Sequence, residues 1–223
     1  MPSFTSIVSL AALMALAQGH GVILGAEGIA GSGTSVGFSV NDAVARNCTA
    51  ISPCQQDTTI IRDAEIDAGT TDNCGRTELA GNIDIATETE DAISTGALTQ
   101  VAGGTEMTVT IHQVNADGAG PYSCDLLTGA NNDNVAQSLT VTDNIPGANG
   151  LSQVKEQAFD IKVTMPNNID CTGGSTGDIC TVRCRNNAVA GPFGGCFPVQ
   201  QTNNANKKRA DRKRALRNFP IPQ

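Results

Sequence analysis

Eight cysteines constrain this chain more than any other feature: Cys48, Cys54, Cys74, Cys124, Cys171, Cys180, Cys184 and Cys196. All lie downstream of an apolar leader. Residues 7–17 (IVSLAALMALA) have the length of a signal-peptide core and are too short to span a bilayer. Ala17 and Gly19 are small residues at the −3 and −1 positions of a cleavage before His20. Residues 1–19 therefore read as a signal peptide and the mature chain as secreted. In an oxidising compartment an even cysteine count implies up to four disulfides, among 105 possible pairings. Cys48–Cys54 and Cys180–Cys184 also have metal-thiolate spacings, a reading set aside because exported thiols oxidise. Asn47-Cys48-Thr49 is an N-glycosylation sequon, which makes Asn47 the candidate acceptor.

The net charge of −8 hides an asymmetry. Residues 207–223 hold seven basic side chains against Asp211, leaving seven basic and 21 acidic groups on residues 20–206. A body at −14 repels polyanions, so nucleic acid is not an expected partner despite the basic tail. The tail, residues 203–223, reads as a disordered, solvated terminus, with dibasic processing at Lys208-Arg209 or Lys213-Arg214 as the next reading. No later stretch is apolar enough for a membrane span.

Between these ends the chain reads as one domain, residues 20–202. Short alternating runs stand at 34–40, 106–114, 136–142, 158–165, 179–184 and 196–201, separated by Gly, Asn and Pro. In 106–114, Met107, Val109 and Ile111 face one side and Thr108, Thr110 and His112 the other. The pattern implies an all-β fold, a single immunoglobulin- or fibronectin-like antiparallel sandwich with long disulfide-stapled loops. The acidic segment 55–95 reads as a long loop with a short helix around 76–92.

There are two histidines, His20 and His112. A strand histidine alone is more often packed or exposed than ligating, but a mature N-terminus at His20 changes the chemistry. Such a residue offers its amine and its ring nitrogen as a chelate, and the amine's pKa of about 7.7–8.0 lets a metal displace its proton near neutrality. A second imidazole opposite completes a planar nitrogen set of the kind copper favours. Gln113 should turn to the face away from His112. No carboxylate spacing singles out a glycosidase pair, and "GAGPY" and "GPFGG" do not open helices as phosphate loops do.

His20 after the leader, "IHQVNADGAGPYSCDL" (111–126) and "CTVRCRNNAVAGPFGGCFPVQQ" (180–201) resemble the fungal lytic polysaccharide monooxygenases. Closer still are the secreted appressorium-associated virulence factors of the gEgh/MAS type. The resemblance spans roughly residues 20–202. It implies a histidine brace, with His20 giving its amine and Nδ1 and His112 its Nε2 to one copper ion. Phe193 takes the axial position, three residues before Cys196, without ligating. Tyr122 is a second candidate for the copper's vicinity, with a catalytic role or a loop-anchoring one. The implied activity is oxidative cleavage of a chitin-like or other β-linked cell-wall polysaccharide by a monomeric protein. The chain departs from that pattern in its aromatics, with no Trp, one Tyr and six Phe. That leaves a second reading, a non-catalytic virulence factor or effector meeting a host-surface component, with or without copper. A third is a cysteine-stapled wall component.

Overall fold

The computed structural model describes residues 20–129, 131 and 134–202. The expected leader and tail lie outside the described residues. Eleven strands carry the fold: β1 (Gly21–Glu27), β2 (Thr59–Ile60), β3 (Arg76–Thr77), β4 (Gly81–Asn82), β5 (Thr99–Val101), β6 (Glu106–Gln113), β7 (Ser123–Thr128), β8 (Asn134–Thr142), β9 (Gln157–Thr164), β10 (Ile179–Arg185) and β11 (Phe193–Gln201). Two helices, α1 (Asp63–Asp67) and α2 (Ile85–Thr95), and a 3-10 turn at Ala116–Gly118 interrupt them.

The ladder runs β1-β6-β9-β8-β7-β10-β11-β2-β3-β4, antiparallel throughout, and β5 adds in parallel to β11. β8 is the pivot. Its residues up to Leu139 pair with β7, and Thr140–Thr142 pair with β9. The two halves of the ladder close over one core: Val109, Ile111, Ile161 and Val163 from one side meet Leu126, Val182, Phe197 and Val199 from the other. The nearly all-β, antiparallel character is what the alternation implied. Met107, Val109 and Ile111 each bury completely, as a period of two requires.

Three local expectations change. Residues 34–40 form no strand; only Ser35 bridges, to Ala26. The Ser35 hydroxyl is used instead, donating to the Pro198 carbonyl and accepting the Thr99 N–H. The helix expected around 76–92 begins at Ile85, because 76–82 is the β3–β4 hairpin. Asp84 caps it by accepting the Thr87 N–H at 2.8 Å, and Gly96 closes it with φ 70°. Finally, β1 and β7 arise from segments without a clean alternation.

All eight cysteines are paired, as Cys48–Cys54, Cys74–Cys196, Cys124–Cys184 and Cys171–Cys180, with Cα separations of 5.9, 5.7, 4.1 and 4.9 Å. Cys124 and Cys184 are direct partners in the β7–β10 register. Among the described residues no helix is long and apolar enough to cross a membrane.

Candidate functional site

The site is built at the open end of the β1–β6 ladder. Gly21 pairs with Gln113 and Val22 with His112, and the Val114 N–H donates to the His20 carbonyl at 2.9 Å, extending the ladder one step. His20 thus opposes Val114, and alternation puts His20, Val22, His112 and Val114 on one face. The two histidines are diagonal cross-strand neighbours, within reach of long side chains. The segment 40–54, which carries the Cys48–Cys54 disulfide, packs over this face through Val40, Ala45 and Cys54, against Val22 and Val114. Asn47 is exposed on that segment.

His112 is 5% exposed, and its Nε2 is buried with no hydrogen-bond partner among the described residues. The Arg46 backbone also bears on the ring, through hydrogen bonding that favours its charged form. Burial first, and then the Arg46 charge, push the imidazole below its ordinary pKa. The Arg46 backbone bond and the Glu156 and Asp57 carboxylates oppose that shift. Arg46 is itself held by Asp57, which is fully buried and accepts from both terminal guanidinium nitrogens, at 2.8 and 2.5 Å. A buried ring nitrogen with no hydrogen-bond partner among the described residues, on a ring that burial holds toward its neutral form, is one that a metal ion could satisfy.

His20 is 3% exposed, and its ring lies 4.7 Å from that of Phe193, tilted by 40°. Phe193 is fully buried at the start of β11, its N–H donating to Asn186 Oδ1 at 2.9 Å. Asn186 in turn donates to the carbonyls of Asp117 and Ala119. The structure thus brings His20 onto one face with His112 and into ring contact with Phe193.

Tyr122 lies on the core side of the same ladder, its hydroxyl against Gly21. Its hydroxyl donates to the Gly118 carbonyl at 3.0 Å within the main core, and burial pushes the phenol well above its ordinary pKa. Gly21, which points to the face opposite His20, must be glycine because a Cβ there would strike that hydroxyl. Tyr122 anchors the loop. Gln113 is fully buried on the inner face, as alternation requires.

Three neighbours escape sequence reading: Arg46, Asn115 and Asn186. Asn115 and Asn186 fall inside the two blocks quoted for the resemblance (111–126 and 180–201), whereas nothing in the pattern marks Arg46. The metal-thiolate spacings fall away, since every cysteine is in a disulfide. Among the described residues no group of three or more His, Cys, Asp or Glu side chains gathers as a metal site. The imidazoles on this face are those of His20 and His112.

Fold and site together define a disulfide-tied, nearly all-β domain with two histidines at one sheet edge. The chain belongs to the Egh16-like virulence factors, whose family profile matches residues 18–194. It is 36% identical over 208 residues to the appressoria-specific virulence factor GAS1 of Pyricularia oryzae, covering 89% of this chain and 78% of the relative. It is 28% identical over 279 aligned positions to the appressoria-specific virulence factor GAS2 of the same fungus, covering 97% and 95%. No solved structure matches.

Proposed function

We propose that the mature protein is a secreted virulence factor, beginning at His20, that holds one copper ion between His20 and His112. The virulence role rests on the family and on the two Pyricularia relatives. The copper reading rests on one observation: a buried His112 Nε2 with no hydrogen-bond partner among the described residues, on the face it shares with His20. Leaving a bare imidazole nitrogen in a nearly closed site costs about 1–3 kcal/mol, and a ligand there offsets that cost. His20 would contribute its ring and, once the leader is removed, its terminal amine. Bound copper would supply one-electron redox chemistry. The chain's part is to fix the ring orientations through Arg46 and Phe193 and to restrict water around them.

Two partners remain proposals, a cell-wall polysaccharide and a host-surface component. All five aromatic side chains among the described residues are buried or partly buried, so the described surface offers polar rather than stacking contacts to sugars. That favours the non-catalytic form of the reading over polysaccharide oxidation, which the monooxygenase resemblance implies.

The experiment is a copper titration of protein beginning at His20, followed by electron paramagnetic resonance. One equivalent should bind, His112→Ala should abolish stoichiometric binding, and one extra residue ahead of His20 should weaken it sharply. Full affinity in the alanine variant refutes the site. Reductant-dependent release of oxidised oligosaccharides from chitin or cellulose would overturn the non-catalytic form.

A further inference from the structure

We infer that Asn115 is a positioning residue, whose side-chain oxygen sets the direction of the His20 nitrogen. The inference rests on the reading in which the mature chain begins at His20. The His20 N–H donates to Asn115 Oδ1 at 2.8 Å, across 95 residues of sequence. In a chain that starts at this residue the nitrogen is an amine, free to rotate about its bond to Cα. One acceptor at hydrogen-bond distance takes one of the three staggered positions on the nitrogen, which confines the lone pair to the other two. A carboxylate would do the same while adding a charge. The neutral amide orients the nitrogen without one.

Asn115 is itself held on several sides. The Gln113 amide, fully buried, donates to the Asn115 carbonyl at 3.1 Å, to Ser152 Oγ at 2.9 Å and to the Val154 carbonyl at 2.6 Å. The Gly118 N–H also donates to the Asn115 carbonyl, at 3.1 Å. Gly118 lies so close to the His20 carbonyl that a Cβ there would collide with it. The 115–118 turn is therefore clamped around the first residue of the ladder, with the Asn115 side chain aimed at its nitrogen. This assigns Gln113 a purpose that its turn away from His112 conceals: it braces the residue that aims the terminal nitrogen.

Groups that orient metal ligands typically change affinity by about 10–100-fold when removed. The test uses protein beginning at His20, with copper(II) titrated against a competing chelator and the spin-resonance spectrum recorded. Asn115→Ala should bind about 10–100-fold more weakly with altered hyperfine coupling. Asn115→Asp, which keeps an oxygen acceptor in place, should return the wild-type spectrum. Asn115→Ser, whose shorter side chain cannot reach, is read in the same way where the alanine variant does not fold. Wild-type affinity and spectrum in the variants lacking the acceptor overturn the inference, as does an aspartate variant no better than alanine. Failure of the unmutated protein to bind copper instead overturns the copper reading itself, so the two failures are distinct.

Discussion

Removing the Cys74–Cys196 disulfide should cost clearly more stability than removing Cys171–Cys180, and the difference follows from the topology. Sequence separations are 122 and 9 residues. The longer loop is not free in the unfolded chain, because Cys124–Cys184 lies inside it and short-circuits 60 residues. What remains is the stretch from Cys74 to Cys124 and the stretch from Cys184 to Cys196, about 62 residues in all, for which loop-closure entropy is worth about 4.3 kcal/mol. The nine-residue loop is worth about 2.6 kcal/mol by the same relation. All four half-cystines are fully buried, so replacement by alanine removes comparable sulfur packing from both sites and leaves loop length as the difference. For a domain of this size those values correspond to falls of about 9–17 °C and about 5–10 °C in Tm. Chemical denaturation of the two double-alanine variants, with m-values checked for two-state behaviour, measures the pair directly. Equal losses, or a larger loss for Cys171–Cys180, would refute the argument that constraint of the unfolded chain sets the ranking. The longer link also bears on the site. Cys196 stands three residues beyond Phe193 on β11, so its loss should loosen the strand that carries the ring facing His20.

Phe193→Ala should destabilise the fold by about 3–5 kcal/mol, the range for a fully buried Phe truncation, measured by denaturant unfolding; a loss under about 1 kcal/mol would show that the site collapses to fill the gap. Burial raises the Asp117 carboxyl above the ordinary 3.8, so the folded state binds its proton more tightly than the unfolded state does. Its contribution to stability is present below that value and is lost as pH rises through the folded pKa, leaving a constant penalty at neutrality. Asp117→Asn should therefore be more stable than wild type at pH 7 and lack that downward slope in a pH series of melting curves. Glu65 has the opposite sign: hydrogen bonding from Arg76 holds its carboxyl below the usual 4.5, so its contribution is present above that value and lost on acidification. Glu65→Gln should flatten the acid limb of the same series.

Much of the fold was legible because strand alternation reports which face is buried. The run 106–114 announced Met107, Val109 and Ile111 as core, and the same reasoning located β8 to β11 within a few residues. β1 was hidden because "GVILGAE" is buried on both faces over its first three residues and so shows no alternation. Residues 34–40 do alternate, yet their backbone bonds go to scattered partners rather than to one strand, Ser35 to Ala26, Gly37 to Ile23, Phe38 to Cys196 and Ser39 to Glu88, a choice no local pattern announces. The helix boundary moved because Arg76 and Thr77 found strand partners in Asn82 and Gly81, whereas the Asp84 cap and Gly96 stop are local signals. Disulfide pairing was never readable, since it is decided by which strands become neighbours.

The site was legible to the extent that it shares its register with the core. The alternation that turns Met107, Val109 and Ile111 inward turns His112 outward, and pairing Val22 with His112 puts His20 on that same face. A slip of one residue would carry His112 into the core and bring Gln113 out, losing the hydrophobic set and the histidine pair together. The irregularity in β1 falls between Ile23 and Gly25, beyond the two histidine rows, so the twist it adds leaves their register intact. Arg46, Asn115 and Asn186 could not be read in this way, because each acts from a loop whose position is set by contacts distant in sequence. Strand alternation supplies the pair of rings, and the loops supply what orients them.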